Sequence, residues 1–193
     1  LVLGGGTAGL VGAKLAAGLG AKTALVEKNY LGGDCLNTGC VPSKALIESG
    51  RRARQHPSKR DFEEAFHRMR DLREKISTHD SAQSVVEAGV DLFFGEGRFS
   101  GPDSLSVAGK TLKFRRALLA AGGGPRSPDI PGLAGAGFLT HLNLFDLKSC
   151  PGRLAVIGGG PLGCEMGQAF QRLGSEVTLF TDVPRLLPRD DAD

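Results

Sequence analysis

Two cysteines separated by four residues carry the clearest chemistry of this sequence. Cys35 and Cys40 enclose Leu-Asn-Thr-Gly, with Gly32-Gly33-Asp34 just before them and Val41-Pro42-Ser43-Lys44 just after. In proteins of a reducing compartment, cysteines are more often catalytic or metal-binding than structural. The pair therefore predicts thiol chemistry, and electron transfer through a disulfide is the reaction that it favours.

The spacing of this pair requires a bend in the chain. A disulfide needs Cα atoms roughly 4.4–6.8 Å apart, and two residues five apart in a regular helix are farther apart than that. We therefore expect a bend before Cys40, with Gly39 supplying the conformational freedom. From Cys40 onward the sequence predicts a helix with Pro42 in its first turn. Cys40 would then lie near a helix N-terminus, where the dipole favours a thiolate.

Two other interpretations of the cysteine pair stay open, a structural disulfide and half of a zinc site. Zinc ligands normally come as C-x₂₋₄-C with a second matching pair. The remaining cysteines, Cys150 and Cys164, show no such pairing. We therefore expect no metal ligands in the chain.

Length and composition restrict the class of protein. The 193 residues suffice for one full domain and part of another, and the net charge of +3 is too small to indicate nucleic-acid binding. No apolar run approaches the roughly 20 residues that span a bilayer, and no secretory signal opens the sequence. We expect a cytoplasmic protein without a membrane partner. Neither end closes a recognisable element, so we expect the chain to be part of a longer enzyme.

A glycine motif near the start predicts a dinucleotide site. Gly4, Gly6 and Gly9 fit G-x-G-x-x-G after an apolar strand, and a helix and a second strand ending in Glu27 follow. The glycines permit a tight turn, approach of the backbone to a pyrophosphate, and close packing of the helix on the strand. The helix N-terminus offers N–H donors to phosphates, and Glu27 is placed to bind a ribose 2′-hydroxyl. A glycine turn without a ligand is the alternative.

The central part of the chain predicts an α/β fold. Residues 45–88 read as helical with a break near 55–58, and residues 91–119 as short strands joined by turns. We expect a doubly wound Rossmann-like sheet with a small antiparallel insertion, and a solvated basic face at residues 51–60. Five apolar residues at helical spacing predict core or helix-pairing contacts: Phe62, Phe66, Met69, Leu72 and Ile76.

The glycine motif occurs a second time. Gly158, Gly160 and Gly163 follow an apolar strand and precede another helix and strand. This repeat predicts a second dinucleotide, and it divides the chain into a first domain of residues 1–149 and the beginning of a second Rossmann-like domain at residues 150–193.

Four stretches in this order, GGGTAG, GGDCLNTGCVPSK, IPG and VIGGGPLGCE, resemble the class I pyridine nucleotide–disulfide oxidoreductases. The resemblance covers essentially the whole chain and is strongest to the mercuric reductase-like and dihydrolipoamide dehydrogenase branch. It implies FAD on the first domain, NAD(P)H on the second, and a homodimer in the full-length enzyme. It also implies a catalytic base from the partner subunit, whose motif none of the four histidines matches.

The resemblance also implies roles for individual residues. Cys35 and Cys40 would form the redox-active disulfide, with Cys40 receiving electrons from the flavin and Cys35 attacking a small-molecule or metal-ion substrate. The implied cofactor-binding residues are Gly4, Gly6, Gly9, Glu27, Gly32, Gly33, Lys44 and Gly122 for FAD, with Glu165 as the partner of Lys44, and Gly158, Gly160 and Gly163 for NAD(P)H.

Two departures from the family pattern bear on the cofactors. The A-T-G of the family reads Ala120-Ala121-Gly122, which removes a threonine hydroxyl near the flavin. Members that prefer NAD carry an acid at the position of Thr181, whereas here Asp182 comes one residue later and Arg185 could meet a 2′-phosphate. NADPH is slightly favoured. The rival functions are dihydrolipoamide dehydrogenase, a non-catalytic flavin- and nucleotide-binding module, and a thiol-based metal-binding protein.

Overall fold

The structure is a computed structural model that describes residues 1–53 and 59–191. The predicted break at 55–58 lies outside the described residues. In chain order the helices and strands are β1 (Val2–Leu3), α1 (Thr7–Gly18), β2 (Thr23–Glu27), α2 (Gly33–Asn37), α3 (Cys40–Arg52), α4 (Lys59–Ser77), α5 (Ala82–Glu87), β3 (Val90–Phe94), β4 (Arg98–Gly101), β5 (Ser104–Val107), β6 (Lys110–Lys113), β7 (Leu118–Leu119), β8 (Arg153–Ile157), α6 (Pro161–Arg172) and β9 (Glu176–Phe180).

The chain divides into two compact units. The first comprises Leu1–Gly39 and Glu74–Gly137, and the second comprises Cys40–Arg73 and Phe138–Asp193. This division differs from the predicted domains because α3 packs against α6 in the second unit. The boundary between residues 149 and 150 stays a prediction about the protein as a whole.

A parallel sheet forms the centre of the first unit. Its strands follow the order β3-β2-β1-β7, with Leu3 beside Val26 and Val2 beside Leu118. The strands are apolar on both faces, as parallel strands covered by helices must be. Leu25 and Val26 are fully buried, and Ala13 of α1 packs against Leu25 in the same cluster. The predicted α/β fold with a parallel sheet is thereby confirmed.

The predicted antiparallel insertion is a separate sheet of β4, β5 and β6 in that order. Leu105 lies opposite Phe99 on one side and Leu112 on the other, and it is fully buried. The β5–β6 turn consists of Ala108 and Gly109, both with positive φ, as a two-residue hairpin turn requires.

Helix α5 begins with a side-chain cap. The Ser81 hydroxyl accepts a hydrogen bond from the Ser84 N–H at 3.2 Å, which satisfies one of the free donors of the first turn. Lys14 of α1 reaches this region and donates to the Ser84 hydroxyl at 2.9 Å. The helix ends before Gly89, which has a φ of +81°.

The second unit is built around a cluster of phenylalanines. Phe62 and Phe66 of α4 stack at 4.3 Å between ring centroids, and Phe170 of α6 lies 6.1 and 6.2 Å from them. All three side chains are buried. Met69 joins the same core, and Leu72 packs at its edge. Ile76 is not part of this core: it is 37% exposed and lies in the last turn of α4.

The parallel strands β8 and β9 pair from Arg153 beside Glu176 to Ile157 beside Phe180.

On α3, Glu48 accepts hydrogen bonds from Arg51 and Arg52, and these bonds lower the pKa of Glu48 to about 2. Within the described ranges, no helix combines the length and apolar character needed to cross a bilayer.

The phenylalanine cluster generates a stability prediction. Phe170→Ala should destabilise the protein by about 3–5 kcal/mol, because it opens a cavity between two other rings. Val86→Ala is the control, since Val86 is 58% exposed, and it should change stability by less than about 0.5 kcal/mol. Equilibrium unfolding in urea measures both. Equal effects of the two variants would contradict the core described here.

Candidate functional site

The two cysteines of the motif lie on different helices. Cys35 is half-buried in the short helix α2, which stops at Thr38, whose φ is −137° and ψ 14°. Cys40 is exposed and is the first residue of α3, with Pro42 in the first turn. The predicted bend and the predicted helix start are therefore confirmed. All four cysteines of the sequence lie in the described ranges, and each is a thiol.

Gly39 is needed at the bend for a different reason from the one predicted. Its φ is not positive, so a special backbone conformation does not explain it. A Cβ on Gly39 would lie 2.8 Å from the carbonyl oxygen of Asp34 and 3.6 Å from Cα of Cys35. The glycine thus allows the chain to pass close to the backbone of α2.

Helix α2 is held in place from both ends. Gly32 and Gly33 have φ values of +86° and +54°, a region in which glycine has no Cβ penalty. Asn37 donates from Nδ2 to the carbonyls of Leu31 and Gly33 at 3.1 and 2.9 Å. The segment that carries Cys35 is therefore held by hydrogen bonds from the Asn37 side chain to main-chain carbonyls.

The first glycine motif forms a tight turn between β1 and α1. Gly4 has a φ of +106° and donates its N–H to the Val26 carbonyl at 2.8 Å. A Cβ on Gly9 would lie on the carbonyl oxygen of Gly4, so only glycine fits there. Gly6 caps α1 without a side-chain hydrogen bond. The N-terminus of α1 therefore has no side-chain cap, and uncapped N–H groups of this kind favour an anion.

The second glycine motif repeats this geometry. Gly158 has a φ of +115° and donates to the Phe180 carbonyl at 2.8 Å, and a Cβ on Gly163 would lie on the Gly158 carbonyl oxygen. Gly160 caps α6 without a side-chain hydrogen bond, and Pro161 opens the helix. A Cβ on Gly160 would meet no atom within 4 Å. The second motif is more open at this position than the first, where a Cβ on Gly6 would lie 3.6 Å from Cα of Gly33.

Glu27 stands at the predicted end of β2, and its carboxylate binds the main chain. Oε2 accepts the Gly5 N–H at 2.6 Å and Oε1 accepts the Asn29 N–H at 2.7 Å, with the residue only 9% exposed. These two bonds hold the glycine turn to the strand end. A carboxylate has about four acceptor positions, so a ribose hydroxyl remains a possible further donor, and that role stays a prediction.

The chain segment after the second strand also contacts the glycine turn, and sequence reasoning missed it. We name these segments straps, residues 28–32 in the first unit and residues 182–190 in the second. In the first unit, the Gly32 N–H donates to the Gly5 carbonyl at 2.8 Å. A Cβ on Gly5 would lie 2.7 Å from Cδ2 of Leu31 and 3.1 Å from Cβ of Glu27.

The second strap makes the same two contacts. The Leu187 N–H donates to the Gly159 carbonyl at 2.8 Å, and a Cβ on Gly159 would lie 3.0 Å from Cδ2 of Leu186 and 3.3 Å from Cβ of Thr181. Leu187 has a φ of +49°, the region that Gly32 occupies in the first unit. The internal repeat therefore extends beyond the second strand, and Thr181 takes the place of Glu27.

Lys44 and Glu165 form the predicted pair within the second unit. Lys44 Nζ lies 2.7 and 2.8 Å from the two carboxylate oxygens of Glu165. The helices α3 and α6 that carry them approach closely, since a Cβ on Gly50 would lie 3.2 Å from the Ala169 carbonyl oxygen. The lysine side chain is 61% exposed, so the pair alone contributes little to stability.

Gly122, a predicted site residue, has no close neighbour at the position of a Cβ. It has a φ of +70°, it is exposed, and a Cβ there would meet no atom within 4 Å. Its positive φ explains the glycine. Its role in cofactor binding stays a prediction.

Known proteins of one kind match this chain over its whole length. The profile of the family described as "Pyridine nucleotide-disulphide oxidoreductase" matches residues 1–193. A mercuric reductase from Bacillus cereus is 35% identical over all of this chain and 32% of its own length. A dihydrolipoyl dehydrogenase from Acholeplasma laidlawii is 32% identical over all of this chain and 62% of its own length.

A solved structure is similar as well. The copper(II) complex of the HOCl-induced flavoprotein disulfide reductase RclA from Escherichia coli has a TM-score of 0.82 and 29% identity. The match covers 99% of this chain and 43% of that one. The chain thus spans between about a third and three fifths of the relatives named here.

The bend at Gly39 generates a prediction about the thiol pair. Gly39→Ala should weaken the predicted Cys35–Cys40 disulfide by about tenfold or more, because overpacking of this kind costs about 1–3 kcal/mol and displaces α2. Equilibration with reduced and oxidised glutathione, followed by thiol titration, measures the effect. Gly152→Ala is the control, since a Cβ there meets no atom within 4 Å. Identical disulfide stability in both variants would count against the packing role of Gly39.

Proposed function

The chain belongs to the pyridine nucleotide-disulphide oxidoreductase family, and we propose that the protein moves electrons from NAD(P)H through FAD to a Cys35–Cys40 disulfide and on to a substrate. One observation carries the proposal. Along the sequence, a cysteine pair with a bend between its members follows one glycine turn and precedes a second glycine turn of the same geometry. Two dinucleotide sites and one thiol pair are the parts that such a transfer requires.

The residues present fit both cofactors. In each repeat the residue at the N-cap position is a glycine, so no side chain binds the first N–H groups of the helix. These N–H donors and the helix dipole favour a pyrophosphate. Gly4, Gly6 and Gly9 would hold the pyrophosphate of FAD, with Glu27 near its ribose. Gly158, Gly160 and Gly163 would hold that of NAD(P)H. Bound FAD and NAD(P)H would supply the two-electron chemistry.

The residues of the chain itself would contribute a thiol–disulfide cycle to this reaction. Two electrons and two protons convert the Cys35–Cys40 disulfide into two thiols, and substrate reduction returns the pair to the disulfide. The thiolate is the reactive form. Cys40 starts α3, where the helix dipole stabilises a negative sulfur. The half-buried Cys35, held by α2, would be the sulfur that attacks the substrate.

Lys44 and Glu165 would adjust the charge at the flavin without performing the chemistry. Lys44 follows Cys40 by one helical turn on α3, so the two lie on the same side of the helix. The bidentate contact with Glu165 fixes the position of the ammonium group. A cation held there favours added negative charge nearby.

The choice of nicotinamide nucleotide follows from the end of β9. An acid at this position repels a 2′-phosphate and binds a 2′-hydroxyl. Thr181 stands there instead, in register with Glu27 of the first repeat. The lack of an acid and the mercuric reductase-like resemblance support a slight preference for NADPH.

A soft metal ion is the favoured substrate. Mercuric reductase is among the relatives, and RclA has been solved as a copper(II) complex. Thiolates select soft metals, so a reduced cysteine pair suits such a substrate. Dihydrolipoamide is the second candidate, supported by the dihydrolipoyl dehydrogenase that matches over 62% of its length. A binding module without turnover is the alternative of a different class.

The state of the protein in the cell is also part of the proposal. We propose a homodimer in the cytoplasm, without a nucleic-acid or membrane partner. The homodimer rests on the family resemblance. The location and the lack of such partners rest on the composition and the small net charge.

Absorbance tests the electron transfer directly. The flavin-loaded protein should be yellow, should lose its flavin absorbance with NAD(P)H, and should develop a long-wavelength band from the Cys40 thiolate. Cys40→Ala should abolish this band, and Cys35→Ala should keep it while turnover falls by about three orders of magnitude. Cys150→Ala is the control, since Cys150 lies outside the motif.

The outcomes separate the candidate functions. A protein that binds flavin but is not reduced by either nucleotide would be a binding module. A colourless protein that binds zinc would overturn the proposal. Turnover with Hg(II), Cu(II), dihydrolipoamide and oxidised glutathione then identifies the substrate.

Gly160 allows a test of the second nucleotide site. Gly160→Ala should leave the fold intact, because its φ of −78° suits alanine and the added methyl meets no protein atom within 4 Å. The methyl group should nevertheless weaken NAD(P)H binding by about tenfold or more, since a pyrophosphate approaches the backbone there. Calorimetric titration measures the affinity, with Gly135→Ala as the control for an equally open position. Unchanged affinity would show that the pyrophosphate binds elsewhere.

A further inference from the structure

The second strap contains an arginine that binds the main chain. Arg185 donates through one guanidinium nitrogen to the carbonyls of Leu187 at 3.4 Å, Asp191 at 3.3 Å, and Asp190. The turn is closed further by the Asp190 N–H, which donates to the Leu187 carbonyl at 3.0 Å. The guanidinium is thus the centre of the turn that follows Leu186.

This turn has a conformation that needs support. Leu187 has a φ of +49°, and a residue with a Cβ is strained in this region. The first repeat avoids the strain because Gly32 occupies the matching position. Contacts from outside the residue must therefore hold Leu187 in place, and the Arg185 hydrogen bonds are contacts of that kind.

The strap contributes directly to the second glycine turn. The Leu187 N–H binds the Gly159 carbonyl, and Leu186 packs on Gly159 beside Thr181. Leu186 is 51% exposed, so its side chain also faces the space beyond the turn. In a dinucleotide site, this space beside the end of the second strand receives the adenosine ribose.

We infer that Arg185 is a positioning residue of the NAD(P)H site rather than a ligand of the 2′-phosphate. It holds the strap so that Leu187 fixes the glycine turn and Leu186 forms the apolar wall beside the ribose. The inference rests on the proposed function for the existence of the nucleotide site. It differs from the role suggested for Arg185 by sequence alone, because one guanidinium nitrogen donates to three main-chain carbonyls of the strap and its turn.

The two roles predict different effects on NAD⁺ and NADP⁺. In the flavin-loaded protein, Arg185→Ala should weaken both nucleotides by the same factor, about tenfold, since hydrogen bonds from a charged donor are lost. Arg185→Lys should recover most of the affinity, because an ammonium also donates to carbonyls. Arg189→Ala is the control on the same strap, and it should bind both nucleotides like the unaltered protein. Calorimetric titration with NAD⁺ and NADP⁺ gives the affinities.

A second pair of variants tests the main chain of the strap. Leu187→Gly and Leu187→Pro both remove the side chain, but only glycine keeps the N–H donor and the positive φ. Leu187→Gly should retain nucleotide affinity within about threefold, because this variant keeps the N–H donor whose loss would be costly. Leu187→Pro should lose as much affinity as Arg185→Ala. For the control Arg189→Ala, the limiting rate of flavin reduction at saturating nucleotide should stay unchanged.

Several outcomes would overturn the inference. Loss of NADP⁺ affinity alone in Arg185→Ala would make the arginine a phosphate ligand, and no loss for either nucleotide would make it dispensable. Equal affinities of Leu187→Gly and Leu187→Pro would remove the role of the strap. Failure of the proposed function is distinguishable from these results. If the unaltered protein binds the nucleotides but its flavin is not reduced, only the proposed function is contradicted. If it binds neither NAD⁺ nor NADP⁺, both the proposed function and the role of Arg185 are contradicted.

Discussion

A main-chain oxygen occupies the position that a Cβ would take on the third glycine of each motif. This contact, from Gly4 to Gly9 and again from Gly158 to Gly163, is the constraint on which the rest of the structure depends. It allows each helix to begin directly above the end of its first strand. The N-terminal ends of α1 and α6 have no side-chain cap, and each lies at the carboxyl end of its own parallel strands, which is where open α/β sheets bind their ligands.

The position of Cys35 follows from the first of these turns. Gly32 donates to the Gly5 carbonyl, and a Cβ on Gly33 would lie 2.7 Å from Cα of Gly6. Helix α2 starts at this contact, and Cys35 is its third residue. The glycine turn that would bind the flavin pyrophosphate and the segment that carries the thiol are therefore in direct main-chain contact. A displacement of one would displace the other.

Patterns of residue type predicted most of the fold and part of the site. An apolar strand was predicted directly before the second glycine motif, and β8 is that strand, because an apolar run that ends at a glycine motif leaves little choice. Lys44 and Glu165 were paired through the family resemblance, and the structure brings them together. The predicted reason for Gly39 was incomplete, because crowding against the backbone of another segment leaves no trace in a local sequence pattern.

The straps were missed for a related reason. Their hydrogen bonds come from main-chain N–H groups, which every residue except proline has. The only sequence signal is a leucine after the second strand, at Leu31 in one repeat and Leu186 in the other. Because the second strap is one residue longer before this leucine, a comparison at fixed spacing does not align the two. The amide contacts of Glu27 were also hidden, since an acid at a strand end is equally suited to a ribose.

The two repeats differ in how firmly their glycine turns are held, and this difference fits the proposed reaction. In the first unit, a buried carboxylate binds the turn and Gly32 adopts the positive φ without strain. In the second, Thr181 replaces the carboxylate, and Leu187 is held in a strained conformation with the help of Arg185. A preorganised site binds its ligand more tightly because less order is lost on binding. The first repeat thus suits a cofactor that stays bound through every cycle. The second suits a nucleotide that must leave after each hydride transfer, since a turn supported by fewer fixed contacts releases its ligand more readily.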